Sequence, residues 1–187
     1  MSISDKIELP SSGLAEDILT QFIEKAQEDI NQERTSVKKD QVETLMHLVT
    51  FQLGKEEYGV EIASVQEIIR ATDITPVPGA PAHVRGVINL RGKIIPVVDL
   101  RKRFSLNAAT GTDSDAQRII VVELGPKRIG MLVDSVSQVI RIPLEVVEEL
   151  PEESTNIDEN YIKGVGKLEN RLIIILDLNK SLLLNSL

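Results

Sequence analysis

The chain has 187 residues, 42% of them hydrophobic, no cysteine, and a formal net charge of −8. That length holds one large domain or two small ones with a real core. The missing cysteine excludes disulfides and thiolate metal sites, while the acidic balance and 3% aromatic content weigh against a nucleic-acid-binding surface.

No basic stretch followed by an apolar one opens the chain, and no apolar run is long enough to span a bilayer. The expectation is a soluble cytoplasmic protein with no direct membrane insertion. Residues 1–43 form a polar, acidic extension. Within it, Leu14, Ile18, Phe22, Ala26 and Ile30 recur at helical spacing, and Leu19 and Ile23 widen the stripe. This predicts an amphipathic helix over about 13–33, with Ser11 or Ser12 as N-cap. Such a helix either packs on its own domain or serves self-association or a partner.

From Leu45 the texture changes. Leu48–Leu53 and Tyr58–Ile62 read as two strands around a Gly54–Glu57 loop. Ala63–Arg70 reads as a short helix or a bent strand. Pro76, Pro78, Gly79 and Pro81 mark a loop. Val84–Leu100 follows as a second hairpin, with the turn Asn89-Leu90-Arg91-Gly92 between two Val- and Ile-rich runs. An Arg in that turn, beside segments that look buried, needs an acceptor from its own chain or from a partner. Ala108–Gln117 is small, polar and unpatterned, and reads as a linker. Ile119–Leu124 and Ile129–Val133 are again strand, turn, strand. Ile142–Asn160 reads as an acidic loop, Tyr161–Leu178 as two more strands, and 179–187 as a tail whose Leu182-Leu183-Leu184 caps the fold as a short helix.

The chain repeats itself. Phe51–Arg70 lies over Val122–Arg141 without a gap, Gly54 falling on Gly125, and seven of the twenty pairs are identical. Val84–Leu100 lies over Ile162–Leu178, Gly86 falling on Gly164 and Asp99 on Asp177. About five short strands per unit suit a small barrel, which removes exposed edges. The predicted fold is therefore all-β. It has two tandem five-stranded barrels related by a pseudo-twofold, over about 45–107 and 117–178, with the ends free to swap between them. A groove is expected between the barrels. The repeat-related pairs Val65/Val136 and Ile68/Val139 either line it as an apolar stripe or are simply core. Residues shared by both copies, such as Asp99/Asp177, are assigned to the fold. Arg91 faces Glu169 in the alignment and is the stronger candidate for function.

Chemistry is hard to find. The two His, His47 and His83, lie in separate segments, and no carboxylates show ligand spacing. The acidic run from Glu145 to Glu159 lacks the alternating oxygen ligands and central Gly of a calcium loop. No nucleophile-base pair, P-loop or dinucleotide fingerprint occurs. The reading is no catalytic activity, no cofactor and no metal.

Two runs are distinctive: EYGVEIASVQEI, and GVINLRG followed by PVVDL. They resemble the CheW family of chemotaxis coupling proteins, over about 44–184. The resemblance implies two five-stranded SH3-like barrels. It also implies an adaptor, recruited to membrane receptor arrays, that links the cytoplasmic tip of chemoreceptors to the regulatory domain of a CheA-type histidine kinase. Carried over position by position, it implies receptor contacts at Val65, Glu67, Gly86, Arg91 and Val139, with a Glu67–Arg91 pair. Ile68, Asn89 and Val136 join that set from the groove and turn. Kinase contacts map to Ile74, Arg85 and Ile94. Two alternatives stand beside this reading: a coupler for surface motility or biofilm signalling, and a small-barrel nucleic-acid-binding protein. The second lacks clustered basic and aromatic residues.

Overall fold

The computed structural model describes residues 6–8, 15–35, 44–71, 73–107, 113–150 and 157–182. The extension contributes β1 (Lys6–Glu8) and α1 (Ala15–Thr35). The first repeat contributes β2 (Leu45–Leu53), β3 (Glu56–Glu61), β4 (Val65–Arg70), β5 (Val84–Leu90) and β6 (Lys93–Asp99), then α2 (Leu100–Arg103). The second contributes β7 (Arg118–Leu124), β8 (Lys127–Val133), β9 (Ser135–Pro143), β10 (Val147–Glu148), β11 (Ile162–Leu168) and β12 (Arg171–Leu176), then α3 (Leu178–Leu182).

Of the two readings of Ala63–Arg70, the strand holds: a single 3-10 turn at 62–64 leads into β4, which has a register slip between Val65 and Glu67. Ile142 and Pro143 belong to β9, and the acidic segment after them holds 3-10 turns at 144–146 and 159–161 around β10. Ser11, Ser12, Leu183 and Leu184 lie outside the described residues.

Each sheet mixes the two repeats. The five-stranded sheet runs β4-β7-β8-β6-β5, and the seven-stranded sheet runs β1-β9-β2-β3-β12-β11-β10. The opening hairpin of each repeat is thus traded into the other's sheet. The exchange is symmetric down to its irregularities. The β4–β7 ladder slips between Val65 and Glu67, and the β9–β2 ladder slips at the equivalent place, between Val136 and Gln138. The β5–β6 and β11–β12 ladders slip at Gly86 and Gly164. Each sheet also wraps round. Thr75, downstream of β4, bridges Val87 on β5, and β10, downstream of β9, pairs with β11.

This topology explains why the strands read as nearly continuous apolar runs. One face of β2 turns Met46 and Leu48 into a small core with Ile140, Ile173 and Ile175. The other turns Val49, Phe51 and Leu53 into the largest core, which lies between the sheets. Ile119 and Val121 on β7 fill the matching small core of the five-stranded sheet, while Ile120 and Val122 face the central one. A strand covered on both faces has no polar face left to show a period of two. Asp99 and Asp177, as their repeat relation implied, serve the fold. Each carboxylate caps the following helix, accepting from Lys102 N at 3.3 Å and Lys180 N at 3.1 Å.

Candidate functional site

The β5–β6 turn is a two-residue turn, Arg91-Gly92, with φ of 51° and 79°. Positive φ at both positions matches the twist of the flanking strands. Asn89 Oδ1 accepts from Gly92 N at 3.0 Å and holds the turn closed. Asn89 thus has a turn-closing role. The ladder also sets it opposite Ile94, one of the residues mapped to the kinase face.

Arg91 lies on the surface, not between buried segments; its side chain is 78% exposed. Its acceptor comes from its own chain. Nη1 and Nη2 donate to Glu67 Oε1 and Oε2 at 3.1 and 3.3 Å. Glu67 is on β4 and Arg91 follows β5, so the two-pronged pair joins the opposite ends of the five-stranded sheet. It presents a rigid, solvent-facing guanidinium with donors to spare.

The remaining mapped residues sort by burial. Val65, Ile68 and Val139 are only 2%, 1% and 2% exposed and belong to the central core, with half-buried Val136 packed against it. The expected open apolar groove is therefore corrected. The stripe exists at the seam of β4 and β9, but α1 lies over it, and Leu19, Ile23 and Ala26 share its core. The buried face of α1 runs through Leu19, Ile23 and Ala26, with half-buried Ile30 packed against the same core; Phe22 is half-buried as well. Of the two uses weighed for this helix, the structure shows packing on its own domain.

Gly86 is buried, and a Cβ there would meet Thr75 O at 2.2 Å. Its requirement is the close pass of the 73–76 segment, not side-chain contact. Ile74 is half-buried, packed against the small core of the five-stranded sheet. Arg85 is exposed, and Ile94 is 64% exposed on the outer face of β6.

The seven-stranded sheet carries an exposed apolar residue at the equivalent place. Leu172, 51% exposed, occupies in the second repeat the place that Ile94 holds in the first. The repeat alignment itself carries that signal.

Burial, helped by the Arg103 guanidinium, holds His83 below the ordinary histidine value, and its Nε2 has no hydrogen-bond partner among the described residues. Burial and the Glu56 carboxylate push the Tyr58 phenol up, so it stays protonated and donates to Glu56 Oε2 at 2.6 Å. Among the described residues, no group of three or more His, Asp or Glu is placed to hold a metal ion. No described helix is long and apolar enough to cross a membrane.

Comparison with known proteins agrees with this geometry. The family model of the CheW-like domain matches residues 47–184. The chain is 39% identical to the chemotaxis protein CheW of Treponema pallidum, over 71% of this chain and 79% of that protein. It is 37% identical to the chemotaxis protein CheW of Klebsiella aerogenes, over 71% and 78%. A crystal structure of the scaffolding protein TtCheW from Thermoanaerobacter tengcongensis superposes with a TM-score of 0.67 at 37% identity, covering 76% of this chain and 91% of that one. β1 and α1 precede the residues that the family model matches. With the doubled hairpin design, the exposed Arg91 held by Glu67 and the extent of these matches, the chain belongs to the CheW family of chemotaxis adaptor proteins.

Proposed function

We propose that this chain couples the cytoplasmic tips of chemoreceptors to a CheA-type histidine kinase, and that it makes and breaks no covalent bonds. One observation carries the reading. Glu67 on β4 fixes an exposed Arg91 across the two ends of the five-stranded sheet, and the same strand carries Val65 and Ile68 of the apolar stripe on its other face. A receptor helix docks along that strand in the helix-in-groove mode, at the apolar face that α1 covers in this structure, and Arg91 gives it a charged contact. The kinase's regulatory domain uses the outer face of the β5–β6 hairpin. There Ile94 supplies exposed apolar area and Arg85 supplies charge.

Two partners on two faces transmit a state by a coupling free energy and not by a reaction. Weak individual contacts suffice where many copies are held in one array. The protein then works in the cytoplasm and reaches the membrane only through the receptors. Its relatives are chemotaxis proteins, which favours this pathway over surface motility. The net charge of −8 opposes the nucleic-acid alternative.

The test is co-sedimentation with receptor fragments and a CheA-type kinase, with autophosphorylation as readout. The expected result is receptor-dependent control of the kinase that is lost in Arg91→Ala and Ile94→Asp. If the wild-type chain leaves the receptor's effect on phosphorylation unchanged, the proposal fails.

A further inference from the structure

The seam that would receive a receptor helix already holds one. α1 lays Leu19, Ile23 and Ala26 onto it, 4%, 1% and 2% exposed, in one core with Val65, Ile68 and Val139. Its polar anchors sit at the rim. Gln27 Nε2 donates to the backbone carbonyls of Ile62 and Val65 at 3.1 and 3.0 Å. Asp29 pairs with Arg141 of β9 at 3.0 Å. The helix therefore touches β4 of one sheet and β9 of the other, and these two strands are repeat equivalents. Ahead of it, β1 pairs with β9, Ile7 opposite Val139. β1 and α1 together strap the seam.

We infer that α1 is an intramolecular stand-in for the partner helix: it closes the seam in cis and is displaced by a helix that carries the same stripe. The inference rests on the receptor reading above, which it deepens by naming the helix chemistry and a regulation. The stripe is apolar at 19, 23, 26 and 30, with a small residue at 26. An amide follows at 27 to satisfy two backbone carbonyls, and an acid at 29 meets Arg141. Exchange is feasible because both helices bury the same kind of face and the polar anchors lie at the edge. A strap closed for most of the time lowers apparent affinity by the open fraction. One open molecule in ten means about a tenfold loss.

The experiment uses the full chain and a dimeric coiled-coil fragment of a chemoreceptor cytoplasmic tip as probe. Affinity is read by titration, and α1 by amide hydrogen exchange. Ile23→Asp undocks the helix through its most buried residue. Asp29→Arg undocks it by setting like charges together at a half-exposed position, and carries the test if Ile23→Asp unfolds the protein. Both are expected to bind the fragment about tenfold or more tighter than wild type. The double change Asp29→Arg, Arg141→Asp restores the pair and returns affinity to the wild-type value. Fragment binding to wild type is expected to speed exchange throughout α1. Equal affinity in wild type and variants, with α1 still protected in the complex, overturns the strap and leaves receptor coupling standing. No binding by any of these chains overturns both.

Discussion

Asp134 and Arg101 tie the two sheets together. Asp134 sits between β8 and β9, and its Oδ1 accepts from Arg101 Nε at 2.7 Å. Its Oδ2 accepts from Gly54 N, in the β2–β3 turn, at 2.7 Å. Arg101 Nη1 reaches Asn107 O at 3.0 Å. The Arg101 side chain is only 18% exposed and that of Asp134 10%. Removing the carboxylate strands a buried guanidinium and a turn N–H. Asp134→Ala should cost about 3–5 kcal/mol, measured by urea unfolding. A loss below about 1 kcal/mol would show that the clamp contributes as a surface pair does.

Arg91→Ala is expected to behave in the opposite way. The Glu67–Arg91 pair is open to water on the arginine side, with Arg91 78% exposed. Exposed pairs are worth roughly 0–1 kcal/mol. Thermal stability should therefore change little while receptor-dependent kinase control is lost. Both are measured on one preparation. Collapse of the fold, with normal binding by the folded fraction, would return Arg91 to a structural role.

Gly86→Ala tests whether a mapped receptor position acts by contact or by backbone. The added Cβ would meet Thr75 O at 2.2 Å and Ile74 Cγ2 at 2.9 Å. The Thr75–Val87 bridge must then shift, at a cost of about 1–3 kcal/mol. Binding should fall only in step with the folded fraction. A stable variant with no receptor binding would show a direct contact instead.

His83 makes stability pH-dependent. Burial first, and Arg103 second, favour its neutral form in the folded chain. The unfolded chain takes up the proton more readily, so acid favours unfolding. The contribution is complete above the unfolded value, about 6.5, and fades as pH falls below it. His83→Gln should flatten the dependence of melting temperature between pH 7.5 and 5.5, roughly the window in which histidine titrates. An unchanged slope would point to the carboxylates.

Much of the fold was legible in the residues. Gly54 and Gly125 marked equivalent turns, and the alignment of Val84–Leu100 with Ile162–Leu178 located the second hairpin of each unit. The rule that shared residues serve the fold worked for Asp99 and Asp177. Its converse was less safe. Asp134 aligns with Ala63 and Arg101 with Asn179, so the clamp occurs in one copy only, yet it holds the structure. Sequence difference between repeats reports any asymmetric role, structural or functional.

Local pattern by itself determined the longer strands, their turns, the doubling of the unit and the helical period of α1; the short β1 and β10 were not among them. These follow from short apolar runs, Gly at positive φ and helical spacing, all set within a few residues. Tertiary structure alone decided which sheet each opening hairpin joins, and what covers Val65, Ile68 and Val139. A hairpin's own alternation is satisfied equally in either sheet, and an apolar stripe is satisfied equally by a partner's helix or the chain's own. Only the long-range burial of β2 and β7 between two cores, and of Ile23 in the seam, distinguishes those arrangements.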